Sequence, residues 1–310
     1  MLGAFGVGGP SVDTVLATPS CAPGELLSGE VRIKAADYDV EIQRVTLALV
    51  TVVEVEGGDH EHSGGMEFHR VDVSGPFTLA KGQDRTIPFS LDVPWETPLT
   101  EVHGHHLHGM ALGVRTELAV AKAVDKGDLD PLGIVPLPSQ RRVLDAFGEL
   151  GFAFKNADVE YGHIAGVPQQ LPFYQEIEFY PPPTHHGRIN EVELTFVANP
   201  HGLAVILEAD KRGGLFTSGG DAFGRFQVSH EEALHLDWAA EISAWLDAVA
   251  ERHASAPHPG HAMHGGHHGP GWGTAAAAGA AGMAAGVVGG MVAGELAEEA
   301  VEEFFEGDED

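Results

Sequence analysis

The chain is poor in thiol and in positive charge. It has one cysteine, Cys21, in 310 residues, so no intramolecular disulfide can form. It has 17 lysines and arginines against 46 aspartates and glutamates, a formal net charge of −29, and protonating all 19 histidines would offset only part of it. Such a surface repels phosphate backbones and anionic headgroups, which argues against unaided nucleic-acid binding and points to basic protein surfaces or metal ions as partners. Beyond Arg252 lysine and arginine are missing, and nine carboxylates gather from Glu295 onward. The opening MLGAFGVGG lacks the basic n-region of a secretory signal, and GVGGP lacks the Lys-Ser/Thr of a phosphate loop. The lone cysteine and this opening predict a cytoplasmic protein.

What is present is alternation. In GEVRIKA, Val31 and Ile33 fall on one face and Arg32 and Lys34 on the other, the period of a half-buried strand. IQRVTLALVTVVEVE is a longer run of the same kind. Further strands are broken by SGP, KGQD and VPWETP. Short strands with closely spaced turns predict a β-sandwich rather than a βαβ fold. A second set follows, in which EVELTFVANPHGLAVILEA reads as a hairpin tipped by Asn-Pro-His-Gly.

Two segments carry helical spacing. Residues 139–151 predict a helix capped by Ser139, with Val143, Leu144, Phe147 and Leu150 on one stripe and Gly151 at the end. Residues 237–253 predict an amphipathic helix through Trp238, Ile242, Trp245, Leu246 and Val249. The expected organisation is a first β unit over 1–130, a linker with a helix over 131–151, a second β unit with its helix over 152–253, and a low-complexity tail over 254–310.

Three ordered blocks, VDTVLATPSCAPGELLSGEVRI, DKGDLDPLGIVPLPSQRRVLDAFGELGF and LPFYQEIEFYP through INEVELTF, resemble the bacterial sporulation-control protein family over about residues 12–249. The resemblance implies an all-β fold of two tandem arrestin-like β-sandwich domains arranged end to end, with a hinge helix between them. It also implies a regulatory, non-catalytic protein with no cofactor, acting on sporulation or related differentiation by binding cytoplasmic proteins. It supplies no catalytic residues. Histidine clusters and a long tail set this chain apart from the family pattern.

Cys21 precedes a Pro23-Gly24-Glu25 turn, which in arrestin-like domains leads into a strand. It reads as a small, partly buried loop residue, because a nucleophile needs a lowered pKa and a positioned base, and the local segment holds no basic side chain before Arg32. Asp125, Asp128 and Asp130 in DKGDLD lack the spacing of a calcium loop and read as an inter-domain structural feature.

HGHHLHG is the first metal-like cluster. On a strand His103 and His105 would share one face, and His106 and His108 the other. Such a pair can chelate Zn²⁺ or Ni²⁺ if a third ligand approaches, from Asp59–His62 or from His185 and His186. The competing reading is an exposed, glycine-flanked loop. In HPGHAMHGGHHGPGW, His258, His261, His264 and His267 recur every three residues. In polyproline II geometry they would stand roughly 9 Å apart, too far for neighbours to share an ion. The plainer reading is a linker responsive to pH.

Gly282, Gly286, Gly290 and Gly294 repeat every four residues within an uncharged run over 274–294. On a helix they would form a narrow stripe suited to close helix contact, and the run would reach about 31 Å, near the thickness of a bilayer core. Its Ala/Gly content fits a membrane poorly. A flexible tail, a self-association element giving a homo-oligomer, and a membrane-associating segment all remain open. Phe304 and Phe305 are a candidate docking point for a basic, apolar groove. The leading expectation is an arrestin-like adaptor; a metal-dependent protein using the histidines and a membrane-tethered scaffold are the alternatives.

Overall fold

The computed structural model describes residues 9–57, 60–121, 126–210 and 223–255. The first half contributes β1 (Ser11–Leu16), β2 (Ser20–Cys21), β3 (Leu26–Lys34), β4 (Val40–Gly57), β5 (His60–Ser74), β6 (Phe77–Leu79), β7 (Asp84–Asp92), β8 (Glu101–Val102), β9 (His105–His106), β10 (Leu112–Val120), β11 (Lys126–Pro131) and β12 (Gly133–Ile134). Helix α1 (Pro138–Leu150) follows, then β13 (Ala153–Tyr161), β14 (Phe173–Tyr180), β15 (Val192–Asn199), β16 (Gly202–Ala209), β17 (Phe223–Ser229), α2 (His230–His235) and α3 (Trp238–Ser255). The protein is mostly β, as the alternation predicts.

A three-stranded sheet, β1-β3-β7, packs against β10, β4 and β5 of the large sheet. Val31 and Ile33 are buried while Arg32 and Lys34 are exposed, so β3 behaves as its period requires. In β7, Ile87, Phe89 and Leu91 alternate inward in the same way.

The large sheet runs β11-β10-β4-β13-β14-β15-β16-β17 and crosses both halves. Strand β4 makes this possible. It pairs with β10 only up to Thr51, and beyond that point its edge takes β13 in a parallel bridge, Glu54 to Glu160. The predicted hairpin forms as β15–β16, with Asn199 opposite Gly202. The Asn199 side chain accepts from the backbone N–H groups of His201 and Gly202 at 2.9 and 3.2 Å, which closes the turn.

Helix α1 buries Val143, Leu144 and Phe147, three of the four expected stripe residues. Its start differs from expectation. Ser139 does not cap it; the helix begins at Pro138, where a missing N–H costs nothing, and the Gln140 side chain accepts from Leu137 N at 2.9 Å. Gly151 ends it with φ 84°, a conformation that favours glycine. Phe147 packs on Phe152 and Phe179, with ring centroids 4.5 and 4.6 Å apart. The short helix α2 was not foreseen. Ser229 caps it reciprocally with Glu232: the Ser229 hydroxyl accepts from Glu232 N, and the Glu232 carboxylate accepts from Ser229 N. In α3, Trp238, Ile242, Leu246 and Val249 are buried as the spacing predicts. No helix among the described residues is long and apolar enough to cross a membrane.

Candidate functional site

The turn after Cys21 is fixed by tertiary contact. Gly24 sits at φ 78°, and a Cβ there would lie 2.5 Å from the Trp95 ring. The Glu25 carboxylate accepts from Ala22 N at 2.9 Å. Cys21 is buried, in a two-residue parallel pairing with β12. Burial, with the nearby Glu25 charge, pushes its thiol up to about 11. Near neutral pH it is a packed thiol and not a thiolate.

Trp95 also opens the contact between the halves, stacking on His230 at 5.5 Å. His230 Nε2 lies 2.9 Å from the Asn199 carbonyl and so donates to it. Its Nδ1 lies 2.8 Å from the Ser139 hydroxyl, within hydrogen-bond distance. Ser139 is itself buried, so this Ser–His pair acts as a strut between α1, α2 and the end of β15. Beside it, the Glu96 carboxylate accepts from the backbone N–H groups of Gln170 and Leu171 at 2.8 Å each. Burial raises the Glu96 pKa, and those two N–H groups and His163 oppose the rise. The Gln175 amide imitates a strand neighbour of Leu99, accepting from its N–H at 2.9 Å and donating to its carbonyl at 2.7 Å. At Gly109, φ 88°, the backbones approach so closely that a Cβ would lie 2.0 Å from the Ala157 oxygen. Side chains from the first half thus bond the backbone of the second, and the reverse.

The HGHHLHG cluster is not the extended strand the metal reading assumed. His103 and Gly104 both have positive φ, 53° and 78°, and form the two-residue turn between β8 and β9. That turn removes the shared face of His103 and His105. His103 Nε2 instead contacts Asp145 of α1 at 2.9 Å, and His108 Nδ1 contacts Asn156 of β13 at 3.1 Å. His105 and His106 are exposed. His185 is buried between Thr184 and Asp247 of α3, at 3.0 and 2.9 Å, and His186 bonds the Pro181 carbonyl. The structure therefore does not gather His103, His105, His106 and His108 with His185 and His186. The side chains of residues 59–62 lie outside the described residues, as do His258, His261, His264, His267, Gly282, Gly286, Gly290, Gly294, Phe304 and Phe305.

The DKGDLD segment is not an inter-domain feature: it closes one edge within the first half. The Asp128 carboxylate accepts from Thr14 N of β1 at 2.8 Å. Asp130 is pushed up to about 6 by burial and by the neighbouring Asp128 and Asp13. Asp125 lies outside the described residues.

Sequence reasoning missed an acidic sheet face on β13–β16. Asp158 faces Glu176, and Glu178 faces Glu193, which in turn faces Glu208. Carboxylate oxygens of Asp158, Glu160 and Glu176 lie within 4.8 Å of one another, as do those of Glu178, Glu191 and Glu193. These are the residues with the donor set for a hard cation among the described ones. In the second group a cation is already supplied by the chain, because Lys155 Nζ bonds Glu178 at 2.8 Å and also Glu191. Burial would lower the Lys155 pKa, but these bonds outweigh it and hold the ammonium above the usual lysine range. The signal was present in ADVEY, YQEIEFY and NEVEL, each with acidic or polar residues two apart, which strand geometry puts on one face.

Comparison with known proteins places this architecture. The family model described as SpoOM protein matches residues 1–213. The chain belongs to the SpoOM protein family. It is 30% identical over 257 residues to the sporulation-control protein spo0M of Bacillus subtilis (strain 168), covering 80% of this chain and 95% of that protein. The crystal structure of Spo0M from Bacillus subtilis superposes with a TM-score of 0.71 at 28% identity, covering 78% of this chain and all of that one. Of the joint, Glu96, Leu99, Gly109, Ser139 and Gln175 fall within the matched residues, whereas His230, and His258 with everything after it, fall beyond residue 213.

Proposed function

We propose that this chain is a non-enzymatic adaptor built as two tandem arrestin-like β-sandwiches over 1–130 and 152–253. The linker of 131–151 carries α1 as a fixed strut, and the protein works through protein–protein contacts in the control of sporulation or related differentiation. The observation that carries this reading is the joint. Glu96, Gln175, His230 and Gly109 hold two β units at one angle, which suits a body that presents surfaces in a set relation. Strand β5 pairs only with β4 among the described strands, which leaves one edge for strand addition. The name of the Bacillus subtilis relative supplies the sporulation context.

Cross-linked capture from the native cytoplasm tests the reading, using the full chain and a Glu96→Ala/Gln175→Ala double variant. A defined set of proteins held by the parent chain and lost from the folded variant is the expected result. Equal capture by both would remove the joint from the function, and no specific capture by either would overturn the adaptor reading.

A further inference from the structure

At one end of the acidic face lies a groove of about 470 Å³. It is lined by Tyr180, Pro181, Pro183, His186 and Asn190, with the buried Ile189. The volume lies in the range of about 300–1,000 Å³ typical of ligand sites. Tyr180 stands 49% exposed on the outer face of β14, two residues beyond Glu178.

The groove is held open by its own loop. His185 N donates to the Pro182 carbonyl at 2.9 Å, and Ile189 N to the His185 carbonyl at 3.2 Å. The His186 ring closes onto the Pro181 carbonyl at 3.0 Å, and the His185 ring is tied to Asp247 of α3. Gly187, at φ 79°, has nothing within 4 Å of where a Cβ would be, so the rim stays low. An apolar groove that cannot collapse binds without first having to be ordered.

The rim selects the occupant by charge. Glu178 lies two residues before Tyr180 and opposite Glu193, Glu191 follows Asn190 in the chain, and the Asp210 carboxylate accepts from Asn190 N at 2.7 Å. Lys155 lies among them, and Arg188 turns its guanidinium onto the Thr184 carbonyl at 2.7 Å. Carboxylates outnumber cations here as they do over the whole chain. The chain's own tail has no lysine or arginine beyond Arg252 and ends in carboxylates, so it suits this rim poorly, and a second copy carries the same net charge of −29.

We propose that this groove docks an extended segment of a partner protein, with proline or aromatic side chains against Tyr180 and the prolines, and lysine or arginine drawn by the excess of carboxylates around it. Proline-rich segments suit aromatic grooves because their extended form loses little entropy on binding. The inference rests on the adaptor reading and assigns it a surface.

The probe is a fluorescein-labelled decapeptide with two Pro-Trp pairs flanked by lysines, titrated by anisotropy against the full chain. Its twin carries glutamate at each lysine. The expected result is binding of the lysine peptide alone, weakened about tenfold by Tyr180→Ala and weakened also by Asn190→Arg, which sets a cation at the mouth. Both positions are exposed, and unchanged thermal midpoints verify that the variants fold. Equal binding of both peptides, no binding of the lysine peptide, or insensitivity to both substitutions would overturn the proposal. So would displacement of the probe by a synthetic peptide of residues 256–273, or a dimer that Tyr180→Ala dissolves, since those results put the chain's own tail or a second copy in the groove. Partner capture that survives Tyr180→Ala would remove this groove and leave the adaptor reading standing.

Discussion

The outer sheet faces of the two halves use the same residue types under opposite rules. On β4, β5 and β10 the charges alternate. Glu67 bonds Arg70 and Arg115, while Glu117 bonds Arg70 at 2.7 Å and lies 3.8 Å from Arg44. This lattice lies in the same layer as Thr46 and Ala48, which are buried on the strand it covers. On β13–β16 the carboxylates stand opposite one another, and Lys155 is the ammonium that bonds two of them. Like charges placed opposite each other across strands are destabilising. The first face satisfies its charges internally. On the second, carboxylates outnumber the ammonium group that bonds two of them, and β14 runs from them to the groove at Tyr180.

The joint between those faces gives the largest expected effect. Gly109→Ala would drive a Cβ into the Ala157 carbonyl at a positive φ, so the two halves must shift apart. A loss of roughly 3 kcal/mol or more is expected in chemical denaturation, with early melting of contacts between the halves. An unchanged unfolding curve would mean the halves are not held by this approach.

Next comes the contrast between the faces themselves. Lys155→Met leaves Glu178, with a side chain 16% exposed, against Glu191 and Glu193 without their shared cation. A loss of about 2–3 kcal/mol is expected. Arg70→Met removes a cation from the balanced lattice, where the partners are more open and other arginines remain, and should cost about 1 kcal/mol or less. Denaturation at low and high salt checks this, and raised salt should recover more of the Lys155 loss than of the Arg70 loss. Equal losses would erase the distinction between the two faces.

A further test concerns an exception within the first half. Asp130 has a folded-state value of about 6 against an ordinary 3.8. The fold therefore holds its proton more tightly than the unfolded chain does. Its favourable contribution is complete below about pH 4 and is lost as pH rises through 6. Asp130→Asn should stabilise the protein above pH 7 by on the order of 1–2 kcal/mol, allowing for partial solvent screening, and should gain nothing below pH 4. Thermal melts across that range check it, and a pH-independent effect would show that Asp128 and Asp13 do not crowd this carboxyl.

Much of the fold was legible because its signals are local. The alternation of Val31 and Ile33 with Arg32 and Lys34, the stripe of α1 and the Asn-Pro-His-Gly hairpin each depend on near neighbours in the chain. Gly104 carried a turn signal that should have broken the strand assumed for the histidines. Ser139 was read as a cap because capping is the local use of serine at a helix start, yet its partner, His230, lies 91 residues away. The acidic face was half legible: the spacing within each strand was visible, but strand pairing alone shows that Glu178, Glu193 and Glu208 align.

The sequence by itself determined the β-rich class, the helices at either side of the second half and the negative charge, because periodicity and composition act over a few residues or over the whole chain; the family followed from the resemblance of three ordered blocks. Only the tertiary structure decided that β4 would carry β13 on its spare edge. It alone decided that Ser139 would bond His230, that His103 would turn toward α1, and that Tyr180 would border a groove. Each of those outcomes depends on a contact between residues distant in the chain, and the energy of such a contact exists only once the fold has brought them together.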